Sequence, residues 1–364
     1  MIFEDLPTTP TSEELIDKAF SRAARAGRSK GGLDAQQSML QTAANIISDN
    51  LENVVTAWPD FEYEDDVHPF YYELADAILD VPDRRSEGET DADAPGGVDE
   101  LRQSLSEVMW ASRKAREIHD EYQSKLRKTD VDTARKHRKQ AFARLADIVE
   151  QVDDELLYIN KARNDLRDLP DIDPDEPTIV VAGYPNVGKS SLVNDVTNAR
   201  GETAAYPFTT RGIGVGHFEG ADLSAESERT ERSAMDDHIR HQIVDTPGLL
   251  DRPPKERNEV EAQAVSAIEH LADCMLVILD PSAECGYPLE SQLELRDAIQ
   301  AQFEEVPVLT VANKVDRSEV WNDELVEEMD ADYRMSVETG ENVDRVLVAA
   351  VEAIDHEPQL PFEE

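Results

Sequence analysis

The run Ile179-Val-Val-Ala-Gly-Tyr-Pro-Asn-Val-Gly-Lys-Ser-Ser191 decides the fold. Its first residues are apolar and β-branched, as in a strand buried on both faces. Gly183-Tyr-Pro-Asn-Val-Gly-Lys-Ser190 then fits G-x-x-x-x-G-K-[ST], and a helical pattern follows. Glycines at 183 and 188 let the backbone wrap a phosphate with its N–H groups turned inward, and the helix that follows adds its positive end. Lys189 is expected to neutralise the outer phosphates, and the Ser190 hydroxyl to ligate Mg²⁺. Tyr184, Pro185, Asn186, Val187 and Ser191 belong to the same expected cradle.

Working outward from this run, short β-branched segments alternate with helical ones from 178 to 354. Strands are expected at 178–182, 213–218, 239–244, 274–279, 306–312 and 333–337. Helices are expected at 189–198, 258–271, 289–303, 319–328 and 342–354. This alternation predicts an α/β P-loop domain, a mostly parallel sheet flanked by helices. Residues 219–237 are polar and acidic, and read as an inserted hairpin loop.

Two further motifs follow expected strands. His241-Gln-Ile-Val-Asp-Thr-Pro-Gly248 ends in D-T-P-G. Asp245 there is expected to reach Mg²⁺ through water, and the Gly248 N–H to bond a γ-phosphate and so sense its presence. Asn313-Lys-Val-Asp316 chooses the base. The Asp316 carboxylate offers two acceptors to guanine N1–H and N2–H₂. Adenine would leave it facing a lone pair, at a cost of several kcal/mol. Asn313 and Lys314 belong to the same pocket, and Ser336-Val337-Glu338 close it, a backbone N–H meeting guanine O6. The expected ligands are therefore GTP and GDP. Tyr206-Pro-Phe-Thr-Thr-Arg211 follows the first helix. Phe208, Thr209 and Thr210 are expected at the nucleotide, with the Thr210 hydroxyl completing the Mg²⁺ shell.

Many GTPases orient the attacking water with a glutamine just after the D-T-P-G-like loop. Leu249 stands there and can neither donate nor accept. Asn186 offers another route, a side-chain carbonyl beside the phosphates that holds K⁺. Lys189, Thr210, Gly248 and Asn186 are thus the expected catalytic set.

The 364 residues carry a net charge of −43, with 40% hydrophobic residues. That self-repulsion disfavours a compact state in dilute buffer and is screened in molar salt, where the Debye length falls to about 3 Å. The acids are spread along the chain, which reads as adaptation to a salt-filled cytoplasm, as in halophilic archaea. Two cysteines make no disulfide framework. No segment reads as a signal peptide or approaches the ~20 apolar residues of a membrane span. A cytoplasmic protein without membrane partners is expected.

Residues 1–169 read as an all-α domain, 170–177 as a linker, 178–357 as the nucleotide-binding domain and 358–364 as a short tail. Thr11 and Glu14 make a capping box. Helical runs lead to Ala26, from Asp34 to Trp58 and from Pro69 to Leu79. The stretch 83–97 reads as a flexible acidic loop. Leu101, Leu105, Val108, Ala115, Tyr122 and Leu126 share one helical face, and Ala141, Leu145, Ile148, Val152, Leu156 and Ile159 share another. A break near Thr129–Asp132 predicts an antiparallel hairpin with arms of about 30 residues, each about 45 Å long.

GYPNVGKSS, YPFTT, DTPGLLDRP with ERN and QA after it, ECGYPLESQ (284–292) and NKVD together resemble the archaeal branch of the nucleolar GTP-binding protein 1 (Nog) family, close to the Obg group. His68-Pro-Phe-Tyr71 and Leu169-Pro-x-Ile-Asp-Pro174 are similar to it as well. The resemblance implies a helical N-terminal domain coupled to a G domain, and a role in large ribosomal subunit assembly through ribosomal RNA. Leu249 is similar to the family's hydrophobic replacement of glutamine. The long C-terminal extension of eukaryotic members is not in this sequence.

The residues themselves offer one candidate RNA surface. Between Arg113 and Arg144 stand eleven Lys and Arg against five acids, bracketing the expected hairpin tip. Arg127, Lys128, Arg135, Lys136, Arg138 and Lys139 are the expected contacts with ribosomal RNA or a large-subunit precursor. The leading expectation is a GTPase of slow intrinsic turnover, stimulated by K⁺, acting as a nucleotide-gated assembly factor. Two alternatives stand beside it, a GTP-gated adaptor with negligible hydrolysis and a GTPase linked to RNA modification.

Overall fold

A computed structural model describes residues 3–4, 6–61, 67–80, 96–167, 169, 172–197, 202–204, 213–219, 240–246, 248–252, 254–257, 259–321 and 329–354. The chain divides into two compact units, one of residues 2–67 and 75–167, the other taking in 68–74 and 168–364. The short stretch 68–74, expected with the helical half, has its contacts with the unit that holds the sheet. A reason lies in Tyr71. Its buried hydroxyl donates to the Ile172 carbonyl at 2.6 Å and accepts from the Ile172 N–H at 3.3 Å.

The helical unit is built from α1 (Ser12–Arg28), α2 (Gly32–Thr56), the end of α3 (Pro69–Leu79), α4 (Gly97–Leu126), α5 (Val131–Gln151) and α6 (Asp153–Arg167). The capping box at the start of α1 is formed. Thr11 Oγ1 accepts from the Glu14 N–H at 3.3 Å, and Glu14 Oε2 accepts from the Thr11 N–H at 3.1 Å. Both predicted apolar faces are buried, Leu101 to Leu126 on α4 and Ala141 to Ile159 beyond it. Each fully buried Leu or Val contributes about 1.5–3 kcal/mol relative to exposure. Asp130 caps α5 by accepting from the Asp132 and Thr133 N–H groups at 3.0 Å each.

The second arm differs from the expectation of one long helix. It breaks at Val152 (φ −112°, ψ 24°), and α6 starts afresh. Asp153, Asp154 and Glu155 follow at once, and three acids favour the positive end of a new helix over the middle of an old one. The acidic loop also ends earlier than expected, since α4 begins at Gly97. Residues 81–95 lie outside the described residues.

The other unit holds a seven-stranded sheet of order β2-β3-β4-β1-β5-β6-β7. Its strands are β1 (Thr178–Ala182), β2 (Glu202–Ala204), β3 (Ile213–Glu219), β4 (Arg240–Asp245), β5 (Cys274–Leu279), β6 (Val308–Ala312) and β7 (Tyr333–Arg334). Pairs β1–β4, β1–β5, β5–β6 and β6–β7 are parallel, while β2–β3 and β3–β4 are antiparallel. Helices α7 (Lys189–Val196), α8 (Glu259–Glu269), α9 (Leu289–Gln302) and α10 (Val343–Ala353) accompany it. Ile179, Val181, Leu276, Ile278 and Val311 pack with Leu192, Val346 and Leu347 in one core. Every residue of β1 and β5 is buried, which explains their unbroken apolar runs.

Two readings need correction here, and a third lies mostly outside the described residues. Strand β2 was not foreseen. The strand expected at 333–337 is only Tyr333–Arg334, with Ser336 in a single bridge to Glu341. The helix expected at 319–328 overlaps a 3-10 turn, Val315–Val320, and 322–328 lie outside the described residues. Residues 205–212 and 220–239 also lie outside them, and with them Phe208, Thr209, Thr210 and most of the expected insertion. No helix among the described residues is long and apolar enough to cross a membrane.

Candidate functional site

In the unit that holds the sheet, chemistry gathers beyond the carboxyl ends of β1, β4, β5 and β6, where parallel α/β sheets receive ligands. β1 leads into the loop 183–188, and α7 starts at Lys189. Two glycines are needed for this turn. Gly183 has φ +134°, and a Cβ there would lie 2.5 Å from the Ile278 carbonyl oxygen; Gly188 has φ +115°, and its Cβ would lie 2.3 Å from Asn313 Nδ2. Asn186 adopts φ 64°, a left-handed conformation that asparagine tolerates better than most residues. Its exposed side chain makes no hydrogen bond among the described residues. Lys189 is buried and its ammonium donates to the Gly183 and Tyr184 carbonyls at 2.6 and 3.0 Å. Burial holds its pKa below the usual lysine value.

Ser190 and Asp245 meet directly, the hydroxyl donating to Asp245 Oδ2. Burial raises the Asp245 pKa, against the opposing pull of Ser190 and Lys189. Asp245 Oδ1 is buried without a hydrogen-bond partner among the described residues. A hydroxyl and a buried carboxylate with an unused oxygen, at a phosphate loop, suit a hard cation that takes its other oxygens from phosphate and water. No group of three His, Cys, Asp or Glu that could hold a metal occurs among the described residues.

The expected base end is assembled from three elements. Asn313 Nδ2 donates to the Val187 carbonyl at 2.8 Å, and Asn313 Oδ1 accepts from the Val337 N–H at 3.2 Å. One side chain thus fastens the phosphate loop to the segment 336–338. Asp316 accepts from Ser336 Oγ at 2.6 Å, and that hydrogen bond holds its carboxyl below the usual range. Asn186, Gly188, Ser191 and Asn194 line one side of a cleft of about 580 Å³; Asn313, Lys314, Asp316, Ser336, Val337 and Glu338 line the other. The segments expected to form a phosphate end and a base end are therefore brought to one cavity.

After β4 the chain is held tightly. Leu249 and Leu250 are fully buried, and the Leu250 carbonyl accepts from the Gly183 N–H at 3.1 Å. The Gly248 N–H donates to Asp251 Oδ2 at 3.0 Å, a partner the sequence reading did not name.

Sequence reasoning also missed the support beneath Lys314. Asp280, fully buried at the end of β5, accepts from Lys314 Nζ at 2.6 Å, from the Cys285 N–H at 2.8 Å and from the Ser282 N–H at 3.0 Å. Burial alone would raise its pKa, but Lys314, Ser282 and the Cys285 N–H outweigh it and hold the carboxyl down. Gln292 fixes both Asp280 backbone groups, accepting from its N–H at 2.7 Å and donating to its carbonyl at 3.0 Å. Tyr287 stacks on Tyr184 with ring centroids 4.2 Å apart. A signal existed in the sequence. Asp280 ends an apolar strand run just as Asp245 does, so it stands on the ligand-binding edge of the sheet.

At the tip formed by α4 and α5, the six expected RNA contacts separate. Arg135 pairs with Asp132 at 3.2 Å. Arg138 donates to Gln36 at 2.8 Å and lies 4.9 Å from the centre of the Phe142 ring. Arg127, Lys128, Lys136 and Lys139 are exposed, and their side chains carry no partner among the described residues.

Comparison with known proteins adds a consistent set of findings. The family model for nucleolar GTP-binding protein 1 matches residues 259–316, and that for the NOG1 N-terminal helical domain matches 3–87 and 89–173. An uncharacterized Methanocaldococcus jannaschii protein, MJ1408, is 33% identical over 86% of this chain and 81% of its own length. Nucleolar GTP-binding protein 1 of Drosophila melanogaster is 33% identical over 71% of this chain, and that of Eremothecium gossypii 30% over 86%. The chain spans only 34% and 45% of those two relatives. A solved Plasmodium falciparum structure described under the same family name is 29% identical, covers 51% of this chain and 90% of its own, and superposes with a TM-score of 0.41.

Proposed function

The chain belongs to the nucleolar GTP-binding protein 1 family, and from that premise we propose that it binds GTP, hydrolyses it to GDP and phosphate, and acts as a nucleotide-gated factor in assembly of the large ribosomal subunit. The observation that carries the nucleotide reading is the Asn313 bridge. It holds the 183–188 loop and the 336–338 segment at one cleft that Asp316 also lines, its carboxyl held below the usual range by Ser336.

Guanine enters with N1–H and N2–H₂ on the Asp316 carboxylate and O6 on a backbone N–H of Ser336–Glu338. Backbone N–H groups of 183–188, the Lys189 ammonium and the start of α7 hold the phosphates. Ser190 would hold Mg²⁺, with Asp245 reaching it through water and Thr210 contributing its hydroxyl when a γ-phosphate is present. When bound, the ion would supply positive charge that offsets the negative charge on the phosphate oxygens. The Gly248 N–H turns from Asp251 to the γ-phosphate. In hydrolysis the oxygen of water bonds to the γ-phosphorus as the bond to the β,γ-bridging oxygen breaks.

Leu249 is buried, so no side chain at that position orients the water. That observation favours slow intrinsic turnover, and it also favours a second reading, a GTP-gated adaptor that barely hydrolyses alone. Asn186, whose side chain has no hydrogen-bond partner among the described residues, is the candidate K⁺ ligand. Equal turnover in NaCl and KCl at matched ionic strength would remove K⁺ from the account. Arg127, Lys128, Lys136 and Lys139 are the proposed RNA contacts, assisted by Arg135 and Arg138.

Calorimetry with GDP, a non-hydrolysable GTP analogue and ATP tests the nucleotide claim; uptake of ATP as tight as that of GTP, or of neither, refutes it. Sedimentation with ribosomal particles in high KCl tests the particle claim, and so does a variant with Glu at positions 127, 128, 136 and 139. Association that ignores both the nucleotide and these charges counts against the role. Single-turnover hydrolysis with and without particles separates enzyme from adaptor.

A further inference from the structure

The Gly248 N–H, assigned above to a γ-phosphate, already serves a carboxylate. It donates to Asp251 Oδ2 at 3.0 Å. Asp251 is not a loose surface acid that drifted there. Leu249 and Leu250 before it are fully buried, and the Leu249 N–H donates to the Thr246 carbonyl at 3.3 Å. The carbonyl of Leu250 accepts from Gly183, the first glycine of the phosphate loop, at 3.1 Å. Beyond Asp251, Arg252 pairs with Glu261, and Arg257 donates to Gln302 at 2.9 Å and to the Arg252 carbonyl at 3.3 Å. The carboxylate is therefore held at the loop from both sides.

We propose that Asp251 determines the choice between nucleoside triphosphate and diphosphate: it occupies the γ-phosphate-reading N–H until a γ-phosphate displaces it. One N–H has one hydrogen, so the two anions exclude each other there. A triphosphate must take that donor from a charged acceptor and then sit beside the displaced negative charge. A diphosphate reaches neither and pays no such penalty. The consequence is a site biased towards GDP, in which the arrival of the γ-phosphate is coupled to movement of the segment that follows β4. This rests on the guanine-nucleotide reading above.

Fluorescent GDP and a fluorescent non-hydrolysable GTP analogue are titrated, with Mg²⁺ in molar KCl, into the full chain and into its Asp251→Ala and Asp251→Asn variants. Asp251→Ala is expected to tighten the triphosphate analogue about tenfold relative to GDP (about 1.4 kcal/mol), with GDP affinity within about twofold of the parent. Asp251→Asn keeps an acceptor but removes the charge, so a smaller shift in the same direction is expected. Retained GDP binding shows that each variant is folded; should Asp251→Ala lose it, Asp251→Asn decides. An unchanged ratio, an equal weakening of both nucleotides, or a shift towards GDP overturns the proposal. Failure of the parent chain to bind either nucleotide would instead refute the guanine-nucleotide reading on which it stands.

Discussion

Asp280→Asn is the perturbation with the largest consequence that the structure allows to be worked through. The parent carboxylate is fully buried and collects donors from Lys314, Ser282 and the Cys285 N–H. An asparagine keeps one acceptor oxygen, turns an N–H₂ towards groups that are themselves donors, and removes the charge facing Lys314. Breaking a fully buried pair from one side costs about 3–5 kcal/mol. The Lys314 side chain keeps 21% of its surface in solvent, and solvent there takes up part of the loss, so about 2–3 kcal/mol is expected. The assay is urea unfolding in molar KCl in a Trp58→Phe, Trp110→Phe background. Trp321 then reports alone on the nucleotide-binding unit. Lys314→Met and the double variant complete a cycle, with a coupling of about 1–2 kcal/mol expected. The folded-state pKa of Asp280 is depressed. Its contribution is therefore present above the ordinary carboxylate value of about 3.9 and disappears as pH falls through the lower folded value. The difference between parent and variant should close only below that range. A cost under about 0.5 kcal/mol, or single costs that add without coupling, would refute the ion pair as a support of the base pocket.

Gly188→Ala places a Cβ 2.3 Å from Asn313 Nδ2 at φ +115°. Nucleotide affinity, read by calorimetry, should fall at least about tenfold, the effect of one or two kcal/mol of left-handed strain. Asp316→Asn exchanges an acceptor for a donor towards the base; guanine nucleotides should weaken at least about a hundredfold, while xanthine nucleotides, which carry an oxygen where guanine has N2, should bind better than to the parent. Tyr71→Phe leaves the buried Ile172 N–H and carbonyl without the phenol. The Trp321-reported unfolding should lose about 1–3 kcal/mol, with the helical unit's capping box untouched.

Much of the fold was legible because its signals are local. The apolar runs of β1 and β5 announce strands buried on both faces, and the periodicity of 101–126 announces a long amphipathic helix. Each motif in the cleft also sits on a strand end, a placement readable from the order of apolar run and turn. Other features were not legible. The break at Val152 depends on three acids competing with an otherwise continuous apolar face. The hydrogen bonds of Tyr71 to Ile172, about a hundred residues on, leave no trace in the local pattern of 68–74. The separation of Arg135 and Arg138 from Lys136 and Lys139 could not be seen in a count of charges, since it depends on which cation finds Asp132 or Gln36.

By itself the sequence determined the kinds of chemistry: glycines where the backbone must turn left-handed, a lysine and a serine after them, a carboxylate suited to a purine with two protons to donate. These follow from side-chain type and near-neighbour spacing, which any conformation of the chain preserves. Tertiary structure alone decided the partnerships. Asn313 spans Val187 and Val337, Asp280 lies under Lys314, and Asp251 caps Gly248. Hydrogen bonds act over about 3 Å, and in the first two cases only the packing of separate strands brings such groups that close. In the third the residues are three apart, and the buried turn of Leu249 and Leu250 is what aims the carboxylate back at the N–H.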